Sequence, residues 1–147
     1  MVVLTATAYS QSASSIIEQT NRLAARIDSS RSLKQVYHTM QMPGRGGAEG
    51  SVTDIFYIDP ATSKLVKVVH NQALFYVDTD TYYFDNDALV LTKTVHRNVD
   101  DATGDYLSKG SYYFQNGKLV HKKEEDQKIK NPEAYVTTAT ALLNASR

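Results

Sequence analysis

The sequence contains no cysteine and no tryptophan, and its 16 basic residues are balanced by 16 acidic ones. Without cysteine, the chain can form no disulfide framework, no thiol nucleophile and no cysteine-ligated zinc site. Binding to a phosphate backbone requires an excess of basic residues. This chain has a net charge of zero, so we expect no nucleic-acid partner. The longest uncharged stretch, residues 1–17, includes a polar run, so we expect no transmembrane segment.

What the chain does contain is 147 residues with ten tyrosines and four phenylalanines. This length is enough for one domain with a self-sufficient core, which we place at residues 12–147. Residues 1–11 are apolar and then small, which indicates either the remnant of an export signal or an apolar arm of the domain. We therefore expect a periplasmic or secreted protein, although the lack of cysteine suits a cytoplasmic chain equally well.

Helices are predicted at both ends of the domain. Apolar residues between residues 12 and 30 recur at spacings of three and four, the pattern of an amphipathic helix. Ser15 and Glu18 form a capping box, so this helix begins there or one turn earlier. Near the C-terminus, Asn131 is a good N-cap and Pro132 suits the first helical position.

Between the helices the sequence predicts strands. A strand over residues 33–42 is followed by a glycine-rich loop at 43–50, which lacks the Gly-Lys-Ser/Thr of a phosphate-binding loop. Further turns are predicted at 59–63, 71–72, 86–87, 100–104 and 116–117. The predicted fold class is therefore α+β: an antiparallel meander of about seven strands, with the N-terminal and C-terminal helices packed on one face.

One hairpin occurs more than once in the sequence. Residues 82–93 and 112–123 share seven identities in twelve positions, and residues 56–66 form a weaker third copy. A two-residue turn at 116–117 would place Phe114 opposite Leu119 and Tyr112 opposite His121. The core face predicted from this pairing carries Phe56, Ile58, Tyr82, Phe84, Tyr112 and Phe114. In the third copy Lys67 falls on that core face, so we expect a bulge or a register shift there.

The opposite face carries one tyrosine from each copy: Tyr57, Tyr83 and Tyr113. An aromatic ring with a hydroxyl provides a rigid contact surface, so these three tyrosines are the candidate ligand-contact residues, for a protein or a glycan. The alternative is that they cover the sheet beneath a loop or a helix.

The segment Tyr-Tyr-Phe-Gln-Asn-Gly-Lys-Leu at 112–119 resembles the hairpin unit of MORN-like repeat proteins and of small exported bacterial proteins of unknown function. The resemblance extends over residues 56–123 and is specific over the last twelve of them. The spaced glycines and the tryptophan of a full MORN unit are absent. The resemblance implies an extended antiparallel sheet used for contact or scaffolding, and it implies no reaction.

No catalytic motif is present. The histidines His38, His70, His96 and His121 are far apart in sequence, and each lies near the end of a predicted strand, so we expect them to be hydrogen-bonded residues at the sheet edge. Aspartates crowd residues 78–105, and we interpret them as turn formers, with a calcium loop beginning at Asp78-Thr79-Asp80 as the alternative. We expect no catalytic residue, no metal ligand and no cofactor.

The leading functional hypothesis is a non-catalytic binding or interaction module of the bacterial cell envelope. The first alternative is a small hydrolase or metal-dependent enzyme with a His/Asp site assembled across strands. Two or more histidines close to each other or to an aspartate, in a pocket, would favour that alternative. The second alternative is an inhibitor or immunity-type protein, and the sequence leaves the ligand and the oligomeric state open.

Overall fold

The computed structural model of the chain describes residues 12–43, 49–73, 76–98, 106–126 and 131–147. The predicted signal remnant or arm at 1–11, most of the glycine-rich loop and the predicted turn at 100–104 lie outside the described residues. The elements are α1 (Ala13–Ser29), β1 (Lys34–Pro43), β2 (Glu49–Asp59), β3 (Lys64–Ala73), β4 (Tyr76–Asp85), β5 (Ala88–Asn98), β6 (Tyr106–Gln115), β7 (Lys118–Glu125) and α2 (Ala134–Ala145).

The α+β fold class is confirmed. The seven strands form one antiparallel sheet in the order β1-β2-β3-β4-β5-β6-β7, so every strand pairs with its neighbours in sequence. This is the meander that closely spaced turns predict, because a short connection allows only antiparallel pairing.

The start of α1 is one of the two that the sequence predicts, whereas the start of α2 differs from the prediction. The side chain of Ser12 accepts a hydrogen bond from the Ser15 amide at 3.3 Å, so α1 starts one turn before the capping box. At the other end, the prediction that Asn131 caps α2 is wrong, because residues 131–133 form a turn and the helix begins at Ala134.

The repeated hairpins close with the turns that their sequences predict. Asn86 and Asp87 both have positive φ, at 48° and 62°, and Asn116 and Gly117 have φ of 52° and 75°. Two consecutive positive φ values define the type I′ turn, which Asn, Asp and Gly adopt at low cost. The predicted turn at 71–72 is wrong, because both residues lie within β3.

Each of the three hairpins contains a β-bulge at the same place. Just after each turn comes a Leu-Val dipeptide whose valine has no partner in the strand pairing. These valines are Val66, Val90 and Val120, one in each hairpin. The bulge expected in the third copy is confirmed, and the other two were not predicted. As a result, Phe114 lies opposite Leu119 as predicted, but His121 lies opposite Tyr113 rather than Tyr112.

The bulges give the sheet two apolar faces. The α2 face is defined by a cluster that joins α2 to one side of the sheet and includes five of the six predicted core residues, with the sixth, Ile58, packed against it. Its members are Phe56, Leu65, Val68, Tyr82, Phe84, Leu89, Tyr112, Phe114, Ala139 and Leu143. The α1 face is defined by a second cluster, which joins α1 to the sheet: Ala24, Ile27, Tyr83, Leu91 and Tyr113. The three bulge valines pack against the second cluster.

The position of the helices therefore differs from the prediction that both pack on one face. Tyr82 and Tyr83 are adjacent in β4, so their side chains point to opposite sides of the sheet. Tyr82 contacts Tyr135 of α2, whereas Tyr83 bonds to Asp28 of α1. The helices lie on opposite faces, and the sheet is the middle of three layers.

Candidate functional site

The three tyrosines predicted as ligand contacts lie on the α1 face. Tyr83 and Tyr113 are only 3% and 7% exposed, and their hydroxyls donate to Asp28 and to Asn21 of α1 at 2.9 Å. Tyr57 is half-buried, with the Lys67 ammonium 4.9 Å from its ring centroid. Tyr83 and Tyr113 thus have the environment of the alternative interpretation, a sheet face covered by a helix.

If a tyrosine hydroxyl helps to hold α1 on the sheet, its removal should lower the stability of the chain. We expect Tyr83→Phe to lower the free energy of unfolding by about 1–2 kcal/mol, because it removes the hydrogen bonds to the Asp28 carboxylate. Urea unfolding measures this difference. Tyr57→Phe is the matched control, with an expected change under about 0.5 kcal/mol. Equal effects of the two substitutions would contradict the packing role of the Tyr83 hydroxyl.

A cluster of acidic and histidine side chains lies on the α2 face, beyond the Val68–Tyr82 row that α2 covers. The acid–histidine patch consists of Asp54, His70, Asp78, Asp80 and His96. These residues come from four adjacent strands and share a face because they are in phase with Phe56, Val68 and Tyr82. His38 of β1 continues the patch, because it pairs with Asp54.

The patch contains two histidine–aspartate dyads between neighbouring strands. His70 Nδ1 lies 2.6 Å from Asp54 Oδ1, and His96 Nδ1 is hydrogen-bonded to Asp78 Oδ1. A carboxylate at Nδ1 favours the tautomer that carries its proton there, so Nε2 becomes the basic nitrogen of the ring. Each dyad therefore holds an imidazole in a fixed orientation.

The bulges create both dyads. Without the bulge at Val66, continuous pairing from the turn would place Val69, not His70, opposite Asp54. Without the bulge at Val90, Val95 would take the place of His96 opposite Asp78. One extra residue after each turn therefore exchanges an apolar neighbour for an imidazole.

Asp80 is the most perturbed acid of the patch. The pKa of Asp80 is raised from 3.8 to about 6: burial raises it most, His70 on the neighbouring strand lowers it, and the nearby Asp78 charge raises it to a lesser degree. Burial, together with the charge of Asp80, also raises the pKa of the Tyr82 and Tyr135 hydroxyls. These phenols remain protonated at neutral pH and form an aromatic border between the patch and α2.

The geometry of the patch is that of a surface. The side chains of the two dyads are exposed by between 25%, for Asp54, and 50%, for Asp78. Cavities of about 690 and 420 Å³ lie along α1 and are lined by other residues. Within the described ranges, no three His, Asp or Glu side chains are arranged to hold a metal ion.

The sequence interpretation missed this site. It treated Asp78 and Asp80 as turn formers, which is wrong, because both lie inside β4. A signal was available in their alternation with Tyr82 and Phe84, which places all four side chains on one face. The partners of these acids could not be found without the bulges and the true end of β3. His121 is outside the site, on β7, with its ring centroid 5.8 Å from that of Tyr113.

Comparison with known proteins returned no match to a family model, to a curated protein or to a solved structure. The resemblance to MORN-like repeats therefore stays a prediction. In the part of the chain that the structure describes, no helix is long and apolar enough to cross a membrane.

Proposed function

We propose that the chain is a non-catalytic binding module whose acid–histidine patch binds a basic segment of a protein partner. The observation that carries this proposal is the separation of charge between the two faces of the same strands. The envelope location belongs to the proposal too, and it is supported by the signal-like sequence at residues 1–11.

The charge separation follows the alternation of the strands. The patch and its neighbours occupy two cross-strand rows on the α2 face, and along the described strands these rows contain no lysine or arginine. The same stretch of the α1 face carries three lysines, Lys93, Lys109 and Lys123, and one acid, Glu125, which lies opposite Lys109. A ligand that approaches this part of the α2 face meets a cluster of carboxylates, which favours a cationic partner.

The patch is suited to binding lysine and arginine side chains. Carboxylate oxygens accept charge-assisted hydrogen bonds from ammonium and guanidinium groups, and these bonds are stronger than neutral ones. The cross-strand contacts of Asp54 and Asp78 already restrict both side chains, so less rotamer freedom is lost when a ligand binds. A flat surface across four strands fits an extended segment better than a small molecule.

The test uses a fluorescent oligolysine peptide as the probe. We expect the variant Asp54→Asn, Asp78→Asn and Asp80→Asn to bind it at least about tenfold more weakly than wild type, because three adjacent charges are lost. Fluorescence anisotropy at about 50 and 200 mM salt measures the affinities, and wild-type binding should weaken with salt.

The control removes the same number of charges elsewhere. Glu18, Asp85 and Glu133 are exposed and lie outside the patch, so Glu18→Gln, Asp85→Asn and Glu133→Gln should change affinity by less than about twofold. Equal losses in both variants would mean that only net charge matters, and would overturn the proposal. Preferential binding of a neutral glycan would also overturn it.

The dyads favour a second candidate, the small hydrolase with a His/Asp site. An imidazole oriented by a carboxylate is the arrangement that general-base catalysis uses. Catalysis also needs a site that encloses its substrate, and the cavities described above are lined by other residues. Turnover of nitrophenyl esters, phosphates or glycosides that is lost in His70→Gln or His96→Gln would establish this candidate instead.

A further inference from the structure

The two edges of the sheet differ in how they are protected. Strand β7 carries five charged side chains in eight residues, Lys118, Lys122, Lys123, Glu124 and Glu125. Strand β1 has one lysine, Lys34, in ten residues. Charged side chains on an edge strand are the usual means of preventing pairing with another chain. By this criterion β7 is protected, and β1 is not.

Strand β1 also exposes apolar side chains on both faces. Tyr37 on the α1 face is 59% exposed, and Met40 on the α2 face is 66% exposed. Among the described strands, β1 pairs with β2 alone, over ten consecutive residue pairs. A long, regular edge with exposed apolar groups presents a row of backbone donors and acceptors to a further strand.

We propose that β1 is a homodimer interface, in which β1 of a second copy pairs antiparallel with it about a twofold axis at His38. Antiparallel pairing places residues of the same face opposite each other, so the axis must pass through a residue position and not between two. An axis at His38 sets Val36 opposite Met40 and Tyr37 opposite Thr39 of the other copy.

This register fits the chemistry of β1. Val36 and Met40 bring two apolar side chains together on the α2 face, and Tyr37 with Thr39 is an aromatic and β-branched pair on the α1 face. Lys34 lies outside these pairs, so the interface brings no like charges together. The axis is perpendicular to the sheet, so both acid–histidine patches would lie on the same side of the dimer. The proposal is independent of what the patch binds.

Because the chain has no cysteine, one introduced thiol tests the register directly. His38→Cys would place two thiols across the axis, where opposed Cα atoms of antiparallel strands are about 4.5–5.5 Å apart, within the range that a disulfide spans. Under mild oxidation we expect this variant to become a covalent dimer. The matched control Gln41→Cys, which this register places opposite Gln35, should stay largely uncrosslinked.

Sedimentation velocity tests the dimer without a covalent bond. An edge-to-edge pairing is a small interface, so the measurement extends to about 200 μM chain. We expect wild type to approach twice the 16.4 kDa chain mass. The double variant Tyr37→Lys and Thr39→Lys should stay monomeric, because it sets like charges opposite each other, whereas Tyr37→Lys with Thr39→Glu should still dimerise.

Three results would overturn the proposal. The first is that wild type stays monomeric throughout the concentration range. If wild type is monomeric and only a variant without residues 2–11 dimerises, the edge of β1 is a binding site for a segment of the same chain, and the proposal is overturned as well. Another is dimerisation of the double-lysine variant as strong as that of wild type. The third is equal crosslinking of His38→Cys and Gln41→Cys, since random encounter produces both.

Discussion

Replacing Phe84 with alanine is expected to destabilise the chain by about 3–5 kcal/mol. Phe84 is 1% exposed and lies in the cluster between the sheet and α2. The substitution removes the transfer free energy of a buried ring and leaves a cavity, because β4 is held on both sides and cannot close around the gap. A domain of this size is stable by roughly 5–15 kcal/mol, so this one change removes a large part of its stability.

Urea unfolding followed by circular dichroism measures the effect. The matched control is Tyr37→Ala, which truncates an aromatic residue that is 59% exposed on β1 and should cost less than about 1 kcal/mol. Phe84→Leu should fall between the two, because it keeps most of the buried volume. A loss below about 1.5 kcal/mol for Phe84→Ala would mean that the α2 face is not closely packed.

The hairpins and the main core could be predicted from the sequence because they depend on local information. Asn116-Gly117 requires a type I′ turn, and that turn determines the pairing of the residues beside it, Phe114 with Leu119. The internal repeat transfers the same pairing to Phe84 and Leu89. Alternation along each strand then identifies the core face.

The bulges limit how far this reasoning extends. Nothing in a Leu-Val dipeptide distinguishes a paired valine from a bulged one, since both suit a strand. The bulge at Val90 turns Leu91 toward the α1 face, where it is buried beside Tyr83 and Tyr113. That second apolar cluster is the surface on which α1 packs. One bulged residue per hairpin, expected only in the third copy, therefore explains the second apolar face on which α1 packs.

The dyads of the candidate site depend on two of these bulges, at Val66 and Val90, and the site could not be predicted. Its dyads join residues 16 and 18 positions apart, so their pairing depends on where β3 ends and on the bulges. The resulting patch lies farther from the hairpin turns than the rows that α2 covers. Fold and site are linked physically, because the bulges that bring α1 onto the sheet also bring His70 and His96 to the acids.

Replacing Asp80 with asparagine is expected to stabilise the chain by about 2–3 kcal/mol at pH 7.5. The folded-state pKa of Asp80 is raised from 3.8 to about 6, so the folded state binds its proton more tightly than the unfolded state. Ionising this carboxyl therefore costs stability, and the cost grows as pH rises from about 4 to about 6 and is complete above that. Asparagine keeps the shape of the side chain and carries no charge.

Chemical denaturation of both proteins at pH 4 and at pH 7.5 tests the sign and the pH window. The gain from Asp80→Asn should be largest at pH 7.5 and should vanish near pH 4, where the wild-type carboxyl is protonated in the folded chain. Asp85→Asn changes an exposed carboxylate at the end of the same strand and should leave stability within about 0.5 kcal/mol at both pH values. A gain of equal size at pH 4, or a loss at pH 7.5, would show that Asp80 is not destabilised by burial. The expected gain would mean that the chain keeps this acid at a cost to its stability, as residues retained for binding or catalysis commonly are.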